Sequence, residues 1–124
     1  MKNAFVWVDI PVGDLDRAMA FYSAVIGEAV SPIDHPGFRF ALFPHADKSV
    51  SGCLITPHDA QNGPGIGGPL VYLNVDGRMA DAVAAVTAHG GQVVQDVHQI
   101  DAHGFRAVVI DSEGNRVAFH AQSV

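Results

Sequence analysis

The chain has 124 residues, 48% hydrophobic and 16% charged, with a formal net charge of −6. That is enough apolar material to bury a core without disulfides or structural metal, and it excludes a disordered chain. The acidic balance lacks the basic patch that nucleic acid or an anionic membrane surface requires, so neither is expected as a partner.

The one cysteine, Cys53, cannot form an intramolecular bridge, which suits a reducing compartment. The opening MKNAFVWVDIP has no signal-peptide cleavage pattern, and Pro and charged residues interrupt every long apolar run. A cytoplasmic location is expected.

In chain order, FVWVDI (5–10) alternates as a half-buried strand. Asp14 is placed to cap a helix whose Leu15, Ala18, Met19, Tyr22, Val25 and Ile26 follow helical spacing, and Gly27 to stop it in a left-handed conformation. Strands are expected near 29–33, 38–44 and 49–56. PHDAQNGPGIGGP (57–69) has no periodicity and reads as a linker. Its glycines neither follow a strand nor open a helix, so it does not read as a phosphate loop.

The plan then repeats. LVYLNVD (70–76) is a strand, and Asp76 is placed to cap a helix with Met79, Val83 and Val86 on one face, closed by Gly90 and Gly91. Strands follow near 92–100, 104–111 and 115–121, the last two joined through Ser112-Glu113-Gly114. The interval from Val12 to Gly27 equals that from Val75 to Gly90, which points to an internal duplication of a β-α-β-β-β unit.

The segments IPVGDLDRAMAFYSAVIG, GPLVYLNVD and FRAVVIDSEGNRVAF resemble the vicinal oxygen chelate superfamily, which includes glyoxalase I, bleomycin-resistance proteins and extradiol dioxygenases. The resemblance covers nearly the whole chain. It implies an α+β fold of two tandem β-α-β-β-β modules forming an open, curved, eight-stranded cleft with the helices on the outer face. It implies a single domain over 1–124, with module one at about 1–57, a linker at about 58–69 and module two at about 70–124. Unrelated chemistries share this scaffold, so the fold alone names no activity.

Strand side chains alternate between faces. Val6, Val8 and Ile10, and Val71, Leu73 and Val75, should pack beneath the helices. Trp7, Asp9, Tyr72, Asn74 and His120 are then expected to line one shared ligand cavity. Metal-using relatives carry ligands on the first and last strands of each module. Matched by motif, these positions fall on Trp7, near Gly52 or Cys53, on Leu70 and on Ala118. Trp, Leu and Ala offer no lone pairs to a divalent ion, so the resemblance implies a branch without the usual metal, and no cofactor is expected.

Of the seven histidines, His35, His45 and His58 read as loop residues, His89 lies at a helix stop, and His98 and His103 flank a loop. Only His120 falls on a cleft-facing strand. Asp9 and His120 are candidates for a proton-transfer pair, or else form a structural contact or stand as separately solvated groups. Two functions follow as expectations. One is a module binding a small organic molecule without the family metal. The other is a metal-independent or atypical-metal enzyme, of lyase, isomerase or dioxygenase type, using Asp9 and His120. Exposed sheet edges are a liability that self-association removes, so a homodimer is expected.

Overall fold

The computed structural model describes residues 3–57 and 63–124, with the backbone alone at residues 35 and 38. In chain order it contains β1 (Trp7–Pro11), α1 (Leu15–Ile26), β2 (Ser31–His35), β3 (Phe38–Leu42) and β4 (Ser51–Ile55). The second half repeats the order with β5 (Val71–Asn74), α2 (Met79–Ala88), β6 (Gln92–Gln99), β7 (Phe105–Ile110) and β8 (Arg116–Ala121), with a short 3-10 turn at Asp101–His103. Two four-stranded sheets result, ordered β1-β4-β3-β2 and β5-β8-β7-β6. In each, the first strand runs parallel to the last and the remaining pairs are antiparallel. The repeated plan read from the glycine interval is thus a repeated topology.

The helix α1 forms where its local signals say it should. Asp14 Oδ1 accepts the Arg17 amide at 3.0 Å, and Gly27 ends the helix at φ 83° with its amide donating to the Ser23 carbonyl. Leu15, Ala18, Phe21, Tyr22 and Val25 are buried. Phe21, outside the expected set, packs edge-on against Tyr22 at 5.0 Å between ring centres. Val6 departs from expectation. It precedes β1 and is 71% exposed, whereas Ile10 joins the core and Val8 packs against it.

The second half grips both ends of α1. Glu113, in the β7–β8 turn, accepts the amides of Gly13 and Asp14 through Oε1 at 2.9 and 2.8 Å. It also takes a two-toothed contact from Arg17, at 2.6 Å to Oε2 and 2.8 Å to Oε1. A carboxylate here meets the positive end of the helix dipole. At the other end Arg78 donates to the carbonyls of Ala24 and Val25 at 3.0 and 3.2 Å, satisfying acceptors that a helix terminus leaves open. A Cβ on Gly27 would lie 2.7 Å from that guanidinium, so glycine here serves both the left-handed turn and the approach of Arg78.

The D-x-x-G-N-R hairpin has its own physical reason. Buried Asp111 accepts the Tyr22 hydroxyl at 2.5 Å, the amides of Glu113 and Asn115, and the Asn115 side-chain amide. Asn115 in turn donates to the Pro11 carbonyl at 2.7 Å and accepts the Gly65 amide at 3.0 Å. The turn therefore bonds to α1, to the end of β1 and to the segment joining the halves.

One expected cap does not form. The helix α2 begins at Met79 with Arg78 at the cap position and no side-chain cap bond. Asp76 Oδ1 instead accepts the Gln122 amide at 2.8 Å, so the strand end following β8 takes the carboxylate the helix was to have used. Both helices share one apolar cluster drawn from both halves, including Ile10, Val12, Tyr22, Leu54, Val75, Val86 and Phe119. Among the described residues, no helix is long and apolar enough to cross a membrane.

Candidate functional site

The face of each sheet opposite the helices is defined by register. In the first sheet Asp9 stands beside Cys53, which stands beside Leu42 and then Ser31. In the second, Asn74, His120, Arg106 and His98 are successive neighbours, one from each strand. Cys53, Val108 and Ala118 are buried yet fall outside the core cluster, as expected of a floor beneath cleft-facing side chains. The two faces differ in chemistry. Trp7, Leu42 and Ile55 make the first largely apolar, while the second carries a polar row.

Trp7 and Asp9 do share a face, and they are bonded to each other. The Trp7 indole N–H donates to Asp9 Oδ1 at 2.8 Å, and the Cys53 thiol donates to the same oxygen at 3.3 Å. Burial first, and then the hydrogen bond and charge of Asp9, push the Cys53 thiol up to about 11. Cys53 is therefore a protonated, weakly nucleophilic thiol at neutral pH. Alkylation by iodoacetamide at pH 8 is expected to be at least about tenfold slower than for a free cysteine, and Asp9→Asn to accelerate it. Wild-type alkylation at the free-thiol rate would contradict this environment.

On the second sheet, Tyr72 reaches across to Arg106, whose terminal nitrogen donates to the tyrosine oxygen at 2.7 Å. Arg106 Nε donates to His98 Nε2 at 3.0 Å, and His98 Nδ1 lies 2.8 Å from the Asp96 carbonyl oxygen. His120 Nε2 lies 2.6 Å from the His103 carbonyl oxygen. Because that oxygen only accepts, this nitrogen carries the proton. His58 lies outside the described residues, as does the side chain of His35.

The five expected cavity residues are therefore distributed. Trp7 and Asp9 line a cavity of about 420 Å³ with Pro11, Gly65, Asn115 and Arg116. Tyr72 and Asn74 line another of about 250 Å³ with Ile26, Phe43 and Val50. The two share Val8, Ile10 and Val71 as walls, so they adjoin along β1 and β5. His120 lines neither. No hydrogen bond or ion pair joins Asp9 to His120: each is satisfied by its own neighbours. Arg106 and His98 were not anticipated, although the alternation of FRAVVI carries Arg106 onto the face of Val108.

The residues present do not fit the metal of the metal-using relatives. Trp7 offers an N–H already donated to Asp9, and Ala118 offers a fully buried methyl group. On β4 it is Cys53 that faces the cleft, but its thiol is protonated and turned to Asp9. A Cβ on the adjacent Gly52 would come within 2.5 Å of the Val8 carbonyl oxygen. Among the described residues, no three His, Cys, Asp or Glu side chains are grouped to hold an ion.

Residues 4–43 match a family model described as bleomycin resistance protein-like N-terminal. The protein named "Putative glyoxylase CFP32" of Mycobacterium bovis is 34% identical over 115 residues, covering 90% of this chain and 41% of that protein. The chain thus spans about two-fifths of the length of the curated relatives it matches. A glyoxalase/bleomycin resistance protein from Albidiferax ferrireducens superposes with a TM-score of 0.73 at 19% identity, covering 96% of this chain and 99% of that one. TnmS3, an antibiotic binding protein from Streptomyces, gives a TM-score of 0.70 at 20% identity, with 98% of both chains covered. The paired-module fold is that of glyoxalase and bleomycin resistance proteins. These likenesses support the resemblance to the vicinal oxygen chelate superfamily.

Proposed function

We propose that this protein binds a small organic molecule in the cleft between its two sheets, without the metal that other members of the superfamily use. The observation that carries the reading is the pairing of a cleft with a failed donor set. Cavities adjoin along β1 and β5, while Trp7 and Ala118 occupy positions that the family resemblance assigns to metal ligands and offer no free lone pairs there. Apolar walls with a few polar groups are the usual make-up of a small-molecule site. An antibiotic binding protein of the same fold is a precedent for such binding.

Trp7 is the only tryptophan of the chain and is 46% exposed, so it reports on its own cavity. Titration with a panel of planar aromatic compounds is expected to change its fluorescence saturably, and Trp7→Phe to remove the signal. A flat response across the panel, with the tryptophan still accessible to acrylamide, would contradict the reading.

The same proposal includes a cytoplasmic homodimer. The outer strands β2 and β6 leave a sheet edge on each side, and Phe5, Val6 and Ile66 are exposed apolar side chains. Sedimentation at micromolar concentration is expected to give twice the chain mass. A species of single-chain mass would refute the dimer.

A further inference from the structure

We infer that the ligand is an amphipathic organic anion, its acidic group held by Arg106 and the Tyr72 hydroxyl and its apolar body lying in the cavity that Tyr72 lines with Ile26, Phe43 and Val50. This rests on the small-molecule reading above and names the chemistry that reading leaves open.

Arg106 is the first observation. Its side chain is fixed at two nitrogens, yet neither partner neutralises it. Tyr72 accepts through a neutral hydroxyl. His98 Nε2 accepts the Arg106 Nε–H, so it carries no proton in this geometry; the ring proton is on Nδ1, which donates to the Asp96 carbonyl. The ion pairs among the described residues are Arg17 with Glu113 and Arg39 with Asp16 and Asp34, and none involves Arg106. A half-buried guanidinium without a counter-charge among the described residues is a standing attraction for an anion.

The donors converge. Having accepted from Arg106, the Tyr72 oxygen keeps its own hydrogen to give, and the second terminal nitrogen of Arg106 donates to no protein group among the described residues. Asp9, on the first sheet, already accepts from the Trp7 and Cys53 donors. One planar guanidinium and one hydroxyl suit a singly charged planar head such as a carboxylate. Val8, Ile26, Phe43 and Val50, which share a cavity with Tyr72, suit an aromatic or aliphatic body.

The test is calorimetric titration with 2-naphthoate and biphenyl-4-carboxylate against their primary amides, which match them in shape without the charge. The carboxylates are expected to bind about tenfold or more tightly than the amides in the wild type. In Arg106→Gln that preference should vanish, with wild-type circular dichroism and thermal unfolding showing that the variant is folded; a preference that persists in the folded variant would overturn Arg106 as the holder of the head. Arg106→Lys should fall between, keeping the charge and losing the fork. Equal binding of acid and amide by the wild type would overturn the anionic head and leave the cleft reading standing. No heat with either kind, together with unperturbed NMR signals of cleft residues, would overturn both.

Discussion

Replacing Glu113 by Gln is expected to destabilise the protein by about 2 kcal/mol at pH 7, measured by urea unfolding. The side chain of Glu113 is itself fully covered, and its two oxygens together accept from Arg17, two backbone amides and the Ser112 hydroxyl. Burial opposes its ionisation, but the Arg17 hydrogen bond, the Asp14 amide, the Ser112 hydroxyl and the Gly13 amide outweigh it. They hold the carboxyl down at about 2. A carboxylate depressed by folding stabilises fully above its unfolded pKa, and that contribution is lost as pH falls through the folded value. The gap between wild type and variant should therefore be complete above about pH 5 and close between there and pH 2. A variant within about 0.5 kcal/mol of wild type at pH 7, with an unchanged acid limb, would show that this clasp does not hold α1.

The second large effect is expected at Gly52, where substitution by Ala should cost about 3 kcal/mol and disturb the cleft. A Cβ there would lie 2.5 Å from the Val8 carbonyl oxygen and 3.4 Å from the Val8 Cβ. The backbone is not in the left-handed region at this residue, so the cost is steric. The obstructing atom belongs to the backbone of the neighbouring parallel strand and has no rotamer to escape into. Relief requires β1 to move from β4, which shifts Trp7 and Asp9 together. Thermal unfolding and the Trp7 emission maximum should both change. An unaltered melting temperature would mean that the two strands are held less closely than the geometry indicates.

What could be read beforehand follows the distance over which each feature is decided. The start and stop of α1 are set by Asp14 and Gly27 acting on their own neighbours, and a sequence window contains both. The missing cap of α2 turns on Gln122, which lies 46 residues beyond Asp76, so no local pattern could reveal the competition. Glu113 looked like an ordinary turn residue for the same reason, since it bonds to Gly13 and Asp14 about a hundred residues away.

Strand parity placed Trp7 with Asp9, and Tyr72 with Asn74 and His120, because a two-residue period fixes the face within one sheet. It could not fix which cavity each side chain enters, since that depends on how the sheets meet. Nor did it join Asp9 to His120, each of which has nearer partners. Arg106 and His98 needed the cross-strand register, which sets them beside His120.

We propose a cleft that holds an organic molecule without the family metal. Its most direct test is to dialyse the protein against a chelator, verify by elemental analysis that no transition metal remains, and titrate it with the panel compound giving the largest Trp7 response. Affinity equal to that of untreated protein, and unchanged on adding back Zn, Ni, Mn or Fe, is the predicted result. Loss of binding on chelation, restored by one equivalent of any of these ions, would contradict it.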